Sequence, residues 1–344
     1  MRSLAILFFV LAVASLVVAC APAAPSPKPA AAPPEAKPAA DQPFKVRYQT
    51  LMGRGVIPVA VIKKRGIDKK YNLDVELTVP ASPAAMNTAI LARETDVILT
   101  GWTFGTIFRA RGEPFVSIYP GNVFPGGYDV LVRKDSPIRS LADLKGKEVG
   151  TFAGPGGTTT TMWQVEMIES VGFDPFKGAN VTAGASPLLM ERVLKGDLAA
   201  ALLLDPFVTM ALASGDFRSI AVSGTYWHQK TGAKIPVTTF VTTDDFVKGN
   251  PEGVRRFLRA LKESYEIVQT DSSIWPEMAK EYFNLDKAEQ VELVRERNKN
   301  TFATEWNDKV IDQIIEFAEL ARKHLGDDFL PSVPRESFSA AIQP

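Results

Sequence analysis

From residue 44 onward, short runs of alternating or continuous apolar positions take turns with runs of helical spacing. Lys45–Leu51 predicts a first strand, followed by a glycine-containing turn at residues 52–56. Pro58 suits the first position of a helix, because its missing N–H costs nothing there; this helix is expected to reach about Tyr71 with a break at Gly66. Leu73, Val75, Leu77 and Val79 alternate strictly and predict a second strand. A helix opened by Ser82 and Pro83 follows, then a continuous apolar strand at Asp96–Thr100 of the buried, parallel kind. A helix over Phe104–Arg111 and a strand over Phe115–Tyr119 complete a βαβαβ unit. That order predicts an α/β fold with mainly parallel sheets flanked by helices.

The pattern then starts again. Tyr128–Arg133 reads as a strand leaving the first lobe. A short helix at residues 140–146 precedes a strand at Lys147–Phe152, a glycine- and threonine-rich loop, and a helix from Thr158 to Gly172. Strands at Asn180–Ala183, Leu198–Leu204 and Ser219–Val222 alternate with helices beginning near Pro187 and Asp205. A late strand at Ile235–Thr242 is followed only by helical segments, the longest being Pro251–Gln269 with Val254, Phe257, Leu258, Leu261 and Tyr265 on one stripe. A chain of this order is expected to cross between two lobes near residues 130–133 and 222–239, making a two-strand hinge. The expected division is 44–131 for the first lobe, 132–222 for the second, and 223–344 for the return and the helical tail.

The N-terminal pattern differs. Residues 1–19 carry a positive start, an apolar run and a small-residue end, the signature of a signal peptide. Cys20 follows directly and is the single cysteine of the 344 residues. Without a second cysteine, no disulfide and no Cys-based metal site is expected. Residues 21–43 are dominated by alanine and proline, a composition that makes an extended tether rather than a core. Lysine plus arginine and aspartate plus glutamate balance at 39 each. No basic face points to nucleic acid.

Candidate chemistry gathers where parallel strands end, since ligands of open α/β sheets bind there. Arg54 follows the first strand and either pairs an acidic ligand or faces solvent. Trp102 and Thr103 follow the third strand; Trp102 is either a stacking platform or core. In the loop before the second-lobe helix, Gly154 and Gly157 allow close backbone approach, and Thr158 and Thr159 can serve the orphan amides of the helix start. Asp205 either accepts a ligand N–H or caps the next helix. Tyr226, Trp227 and Thr239 are further candidates near the crossover. The loop carries no Gly-Lys-Thr and no dinucleotide-binding glycine spacing. No catalytic triad or metal-ligand spacing is present, so no catalytic residue, metal or cofactor is expected. Of the two histidines, His324 suits a helix C-terminus, and His228 sits beside Tyr226 and Trp227.

Several stretches resemble a known family: Pro58 after its glycine-containing turn, Gly66 with the run from Tyr71 to Leu77, the run from Ser140 to Lys147, Gly196-Asp197 before a strand ending in Asp205-Pro206, and the run from Asn250 to Phe257. Together they are similar to the solute-binding proteins of ABC importers for nitrate, sulfonates, taurine and thiamine pyrimidine precursors, over residues 44–340. The end of the signal, Val17-Val18-Ala19-Cys20, resembles a bacterial lipobox. The resemblance implies a type II periplasmic-binding-protein fold and a monomer anchored outside the cytoplasm by lipid on Cys20. It also implies closure of two lobes on a ligand, and delivery to a permease driven by a separate ATPase. Related pyrimidine synthases carry a cysteine-rich motif, which is missing here. Arg54 and the threonines suit an acidic head group and the aromatic residues an organic body, so the expected ligand is an organosulfonate or related organic acid; Asp205, suited to a cationic or N–H group, keeps a heteroaromatic vitamin or precursor such as a thiamine pyrimidine or a flavin as the alternative. A lipid-anchored enzyme on the same fold is the remaining alternative.

Overall fold

The computed structural model describes residues 42–344. The expected signal peptide, lipidated Cys20 and most of the tether lie outside the described residues. Among the described residues, no helix is long and apolar enough to cross a membrane.

The first half of the chain gives β1 (Phe44–Gln49), α1 (Val56–Lys64), α2 (Ile67–Lys70), β2 (Leu73–Thr78), α3 (Pro83–Leu91), β3 (Val97–Gly101), α4 (Trp102–Ala110) and β4 (Phe115–Pro120). The break between α1 and α2 falls at Gly66, whose φ of +66° is left-handed, a conformation glycine adopts without steric cost. Ser82 caps α3 through the amide of Ala85, and Pro83 follows it, so the predicted start holds.

The second group contains β5 (Tyr128–Arg133), a 3-10 turn (Leu141–Leu144), β6 (Glu148–Thr151), α5 (Thr158–Val171), α6 (Pro175–Gly178), β7 (Asn180–Ala183), α7 (Ser186–Lys195), β8 (Ala200–Leu204), α8 (Phe207–Ser214) and β9 (Phe217–Val222). After α9 (Thr225–Thr231) comes β10 (Thr238–Thr243). The tail is α10 (Asp244–Gly249), α11 (Pro251–Thr270), α12 (Trp275–Phe283), α13 (Ala288–Asn298) and α14 (Asp308–Leu325).

Two five-stranded sheets result, in the orders β2-β1-β3-β10-β4 and β7-β6-β8-β5-β9. Within each, the strands supplied by local βαβ units pair in parallel. One strand in each runs antiparallel to both neighbours: β10 in the first sheet and β5 in the second. These are the strands formed just after the chain changes sheet, so each enters from the opposite end. The first crossing therefore precedes β5 and does not run through Val130–Arg133 as the sequence suggested. The two crossings pair with each other: Val123 bridges Pro236 antiparallel, and the amide of Phe124 donates to the Ile235 carbonyl at 3.0 Å. The hinge is thus a ribbon of two strands.

The tail covers the first sheet and also reaches the second lobe. Tyr48, Phe240 and Phe257 pack from β1, β10 and α11 into one aromatic cluster. Further on, α14 packs on α5, and α13 packs on α8. The main core is continuous across these contacts and includes Met162 and Val165 of α5 beside Phe317 of α14.

Candidate functional site

Between the sheets lies a cavity of about 170 Å³. Of the candidate residues, Arg54, Gly157, Thr158, Thr159 and Asp205 line it. So do Leu99, Tyr128, Phe152 and Leu204, which the sequence places only in strands, Thr238, a further candidate near the crossover beside Thr239, and Asn122, for which the sequence offers no reading. Tyr128 and Phe152 stack at 6.1 Å with 25° between their planes. Burial pushes the Tyr128 hydroxyl up to about 12, with the Arg54 charge opposing it, so this ring is a neutral surface at physiological pH.

Arg54 and Asp205 meet each other. Arg54 Nη2 donates to Asp205 Oδ2 at 2.6 Å, with both side chains almost fully buried. The remaining Arg54 donors reach Asn298 Oδ1 at 2.7 Å, the Gly126 carbonyl at 2.9 Å and the Arg297 carbonyl at 3.0 Å. Asp205 Oδ1 accepts from the amide of Thr209 at 2.8 Å and from its hydroxyl at 2.6 Å, holding the first turn of α8. Arg297 adds a second pair, to Asp129 Oδ1 at 2.8 Å, and its Nε donates to the Thr209 hydroxyl at 3.1 Å. Burial raises the Asp129 carboxyl above its ordinary value, and Arg297 opposes that shift. Gly127 makes room for the guanidinium: a Cβ there would lie 1.9 Å from Arg54 Cζ, and its φ is +68°. The expected ligand partners are therefore each other's partners. They join the β1–α1 turn and α13 to β5 and α8 of the second lobe.

The opening of α5 faces the opening of α4. Thr158 Oγ1 accepts from the Thr103 amide at 3.2 Å and shares a 2.9 Å hydrogen bond with the Thr103 hydroxyl. Gly101 permits this approach, since a Cβ there would sit 2.3 Å from Thr158 Oγ1. The threonines do not cap α5; its N-cap is Gly157, with no side-chain cap. Instead the Thr160 hydroxyl ties the loop shut on the Gly154 and Gly157 carbonyls at 2.8 and 2.9 Å. The first-turn amides of α5 stay available beside the cavity, an arrangement that favours an electron-rich ligand atom.

Other candidates point elsewhere. Trp102 is completely buried and meets Phe317 of α14 edge-on at 6.2 Å, so the start of α4 turns it into the core. Trp227 meets the same Phe317 at 5.2 Å. Thr103 contacts Thr158 and does not line the cavity. Gly154 acts through its carbonyl in the loop tie, and Tyr226 lies under Lys230 away from the cavity. Thr239 bonds Ser117 inside the first sheet at 2.8 Å. His324 Nε2 lies 2.6 Å from Glu169, joining α14 to α5, and His228 Nδ1 faces the Ala233 carbonyl at 3.1 Å. Among the described residues, no group of three or more His, Cys, Asp or Glu residues could hold a metal ion.

Two mixed sheets joined by a two-strand hinge, with the cleft at the strand ends, define a type II periplasmic-binding-protein fold. The family described as NMT1/THI5 like matches residues 55–272, and the chain belongs to it. In Saccharomyces cerevisiae, 4-amino-5-hydroxymethyl-2-methylpyrimidine phosphate synthase THI13 is 24% identical over 229 residues, covering 62% of this chain. The chain spans 64% of the length of that relative. The fold is shared with the periplasmic aliphatic sulphonate binding protein SsuA from Escherichia coli (TM-score 0.68, 18% identity, 86% of this chain and 91% of that one). It is also shared with the alkanesulfonate-binding protein SsuA from Xanthomonas axonopodis pv. citri bound to MOPS (TM-score 0.70, 16% identity, 87% and 99%).

Proposed function

We propose that this chain is the extracytoplasmic solute-binding component of an ABC importer. It captures a small organic ligand by lobe closure and hands it to a membrane permease powered by a separate ATPase. On this reading the protein is a monomer held to the cell membrane by lipid on Cys20, and it releases its ligand unchanged.

The observation that carries the reading is the cavity between the lobes, with the Tyr128 and Phe152 rings on its wall and its two charged residues, Arg54 and Asp205, neutralising each other. An apolar cavity of about 150 Å³ accepts a single benzene ring, and this one has about 170 Å³. A compact, uncharged, flat heteroaromatic molecule fits that description best. An organosulfonate is the second reading. Its support is the uncapped start of α5, which favours an anion, together with the names of the two SsuA neighbours.

The experiment is to denature protein purified from its native host and identify any released small molecule by mass spectrometry. A thermal-shift panel of pyrimidines, flavins and alkanesulfonates then ranks the classes, because a saturating ligand adds several kcal/mol. A shift with sulfonates alone would overturn the heteroaromatic reading. Chemical turnover of the bound molecule would overturn the binding-protein reading altogether.

A further inference from the structure

Asn122 lies in the first crossing strand, and it lines the cavity at 3% exposure. Its backbone is fixed on both sides. Its amide donates to Thr238 Oγ1 at 2.9 Å, and its carbonyl accepts from the Val237 amide at 2.7 Å. The same Thr238 hydroxyl donates to Asn122 Oδ1 at 3.3 Å, which sets the orientation of the side-chain amide. Nδ2 is left with no hydrogen-bond partner. Among the described residues that line the cavity, it is the one buried side-chain polar atom in that condition.

A buried donor without a partner is a standing cost, and native proteins seldom keep one without a use. Here the backbone bonds fix the position of the residue and Thr238 orients its side-chain amide. We propose that Asn122 is the specificity-determining donor of this site. Resting on the heteroaromatic reading above, the proposal is that Nδ2 donates to an acceptor atom on the ring of the ligand, a ring nitrogen or a carbonyl oxygen. Discrimination by such a group is strong, because an analogue lacking the acceptor leaves the buried donor unpaired. Thr238 is then a positioning residue, acting through the amide.

The test uses the full chain and two probes of like size, 4-aminopyrimidine and aniline, which share the exocyclic amino group and differ in the ring nitrogens. Dissociation constants are measured by calorimetry for the wild type and for Asn122→Leu and Asn122→Asp. The ratio of the two constants within each protein cancels differences in overall folding and closure. The expected result is that the preference for 4-aminopyrimidine falls roughly ten- to hundredfold in both variants. Asn122→Asp keeps the acceptor for Thr238, so it reports the loss of the donor even if the leucine variant folds poorly. An unchanged ratio in both variants would overturn the role of Asn122 while leaving the ring-binding reading in place. Failure of the wild type to bind either probe would overturn the ring-binding reading itself, and this proposal with it.

Discussion

Arg54 and Asp205, separated by 151 positions in sequence, close a buried 2.6 Å ion pair between the two lobes. A pair so enclosed contributes little over a well-packed apolar replacement, but removing one member strands the other. Arg54→Met is therefore expected to cost ~3–5 kcal/mol in chemical denaturation. Adding Asp205→Asn to it should recover part of that loss, since an amide can still accept from Thr209. A double mutant no more stable than Arg54→Met would contradict the pairing.

The threonine contact makes a second, smaller prediction. Thr158→Val removes both hydrogen bonds to Thr103 and should weaken closure by ~1 kcal/mol. With Thr159→Val added, the affinity for the ligand recovered from native protein should drop, while circular dichroism stays native. Unchanged affinity would reduce the loop to a plain turn between β6 and α5.

Glu166 of α5 is buried, and desolvation pushes its carboxyl up to about 7, with the amides of Gly224, Trp227 and Tyr226 pulling it back down. The folded protein thus takes up this proton more readily than the unfolded chain, whose ordinary value is 4.5. The associated stability is fully present below about pH 4.5 and is lost as pH rises through about 7. It is worth on the order of 3 kcal/mol. In Glu166→Gln, the slope of stability against pH between these values should flatten. An identical slope in wild type and variant would rule Glu166 out as its source.

Trp102 provides a negative control for the cavity. Because its ring packs on Phe317 and not on the ligand space, Trp102→Phe should lower the melting temperature by several degrees, as an underfilled core does. Ligand affinity should stay as it was. A large affinity loss with an unchanged melting temperature would return this residue to the binding site.

The sequence was most legible where periodicity alone decides. The strict alternation at Leu73–Val79 and the apolar run at Asp96–Thr100 became β2 and β3 to within a residue or two. Strand direction was not legible, because buried positions look the same whichever way a strand runs; β5 and β10 are antiparallel for topological reasons. Short α9 escaped notice, since seven residues offer too little periodicity. Of the residues expected at strand ends, Arg54, Gly157 and Asp205 line the cavity, and helix phase decides where each neighbour points. Trp102, the first residue of α4, faces away from the cavity that neighbouring Gly101 lines. Arg54 and Asp205 each carried a signal, yet nothing local says that they meet. Asn122 carried none: its importance arises from a missing partner, which is visible only in three dimensions.

The hinge-side network also gives the tail a part in closure. Arg297 of α13 holds Asp129 of the second lobe, and its neighbour Asn298 holds Arg54, which in turn holds Asp205. Neither Arg297 nor Asn298 lines the cavity. A change in α13 could thus loosen or tighten the hold of one lobe on the other without altering a side chain on the cavity wall.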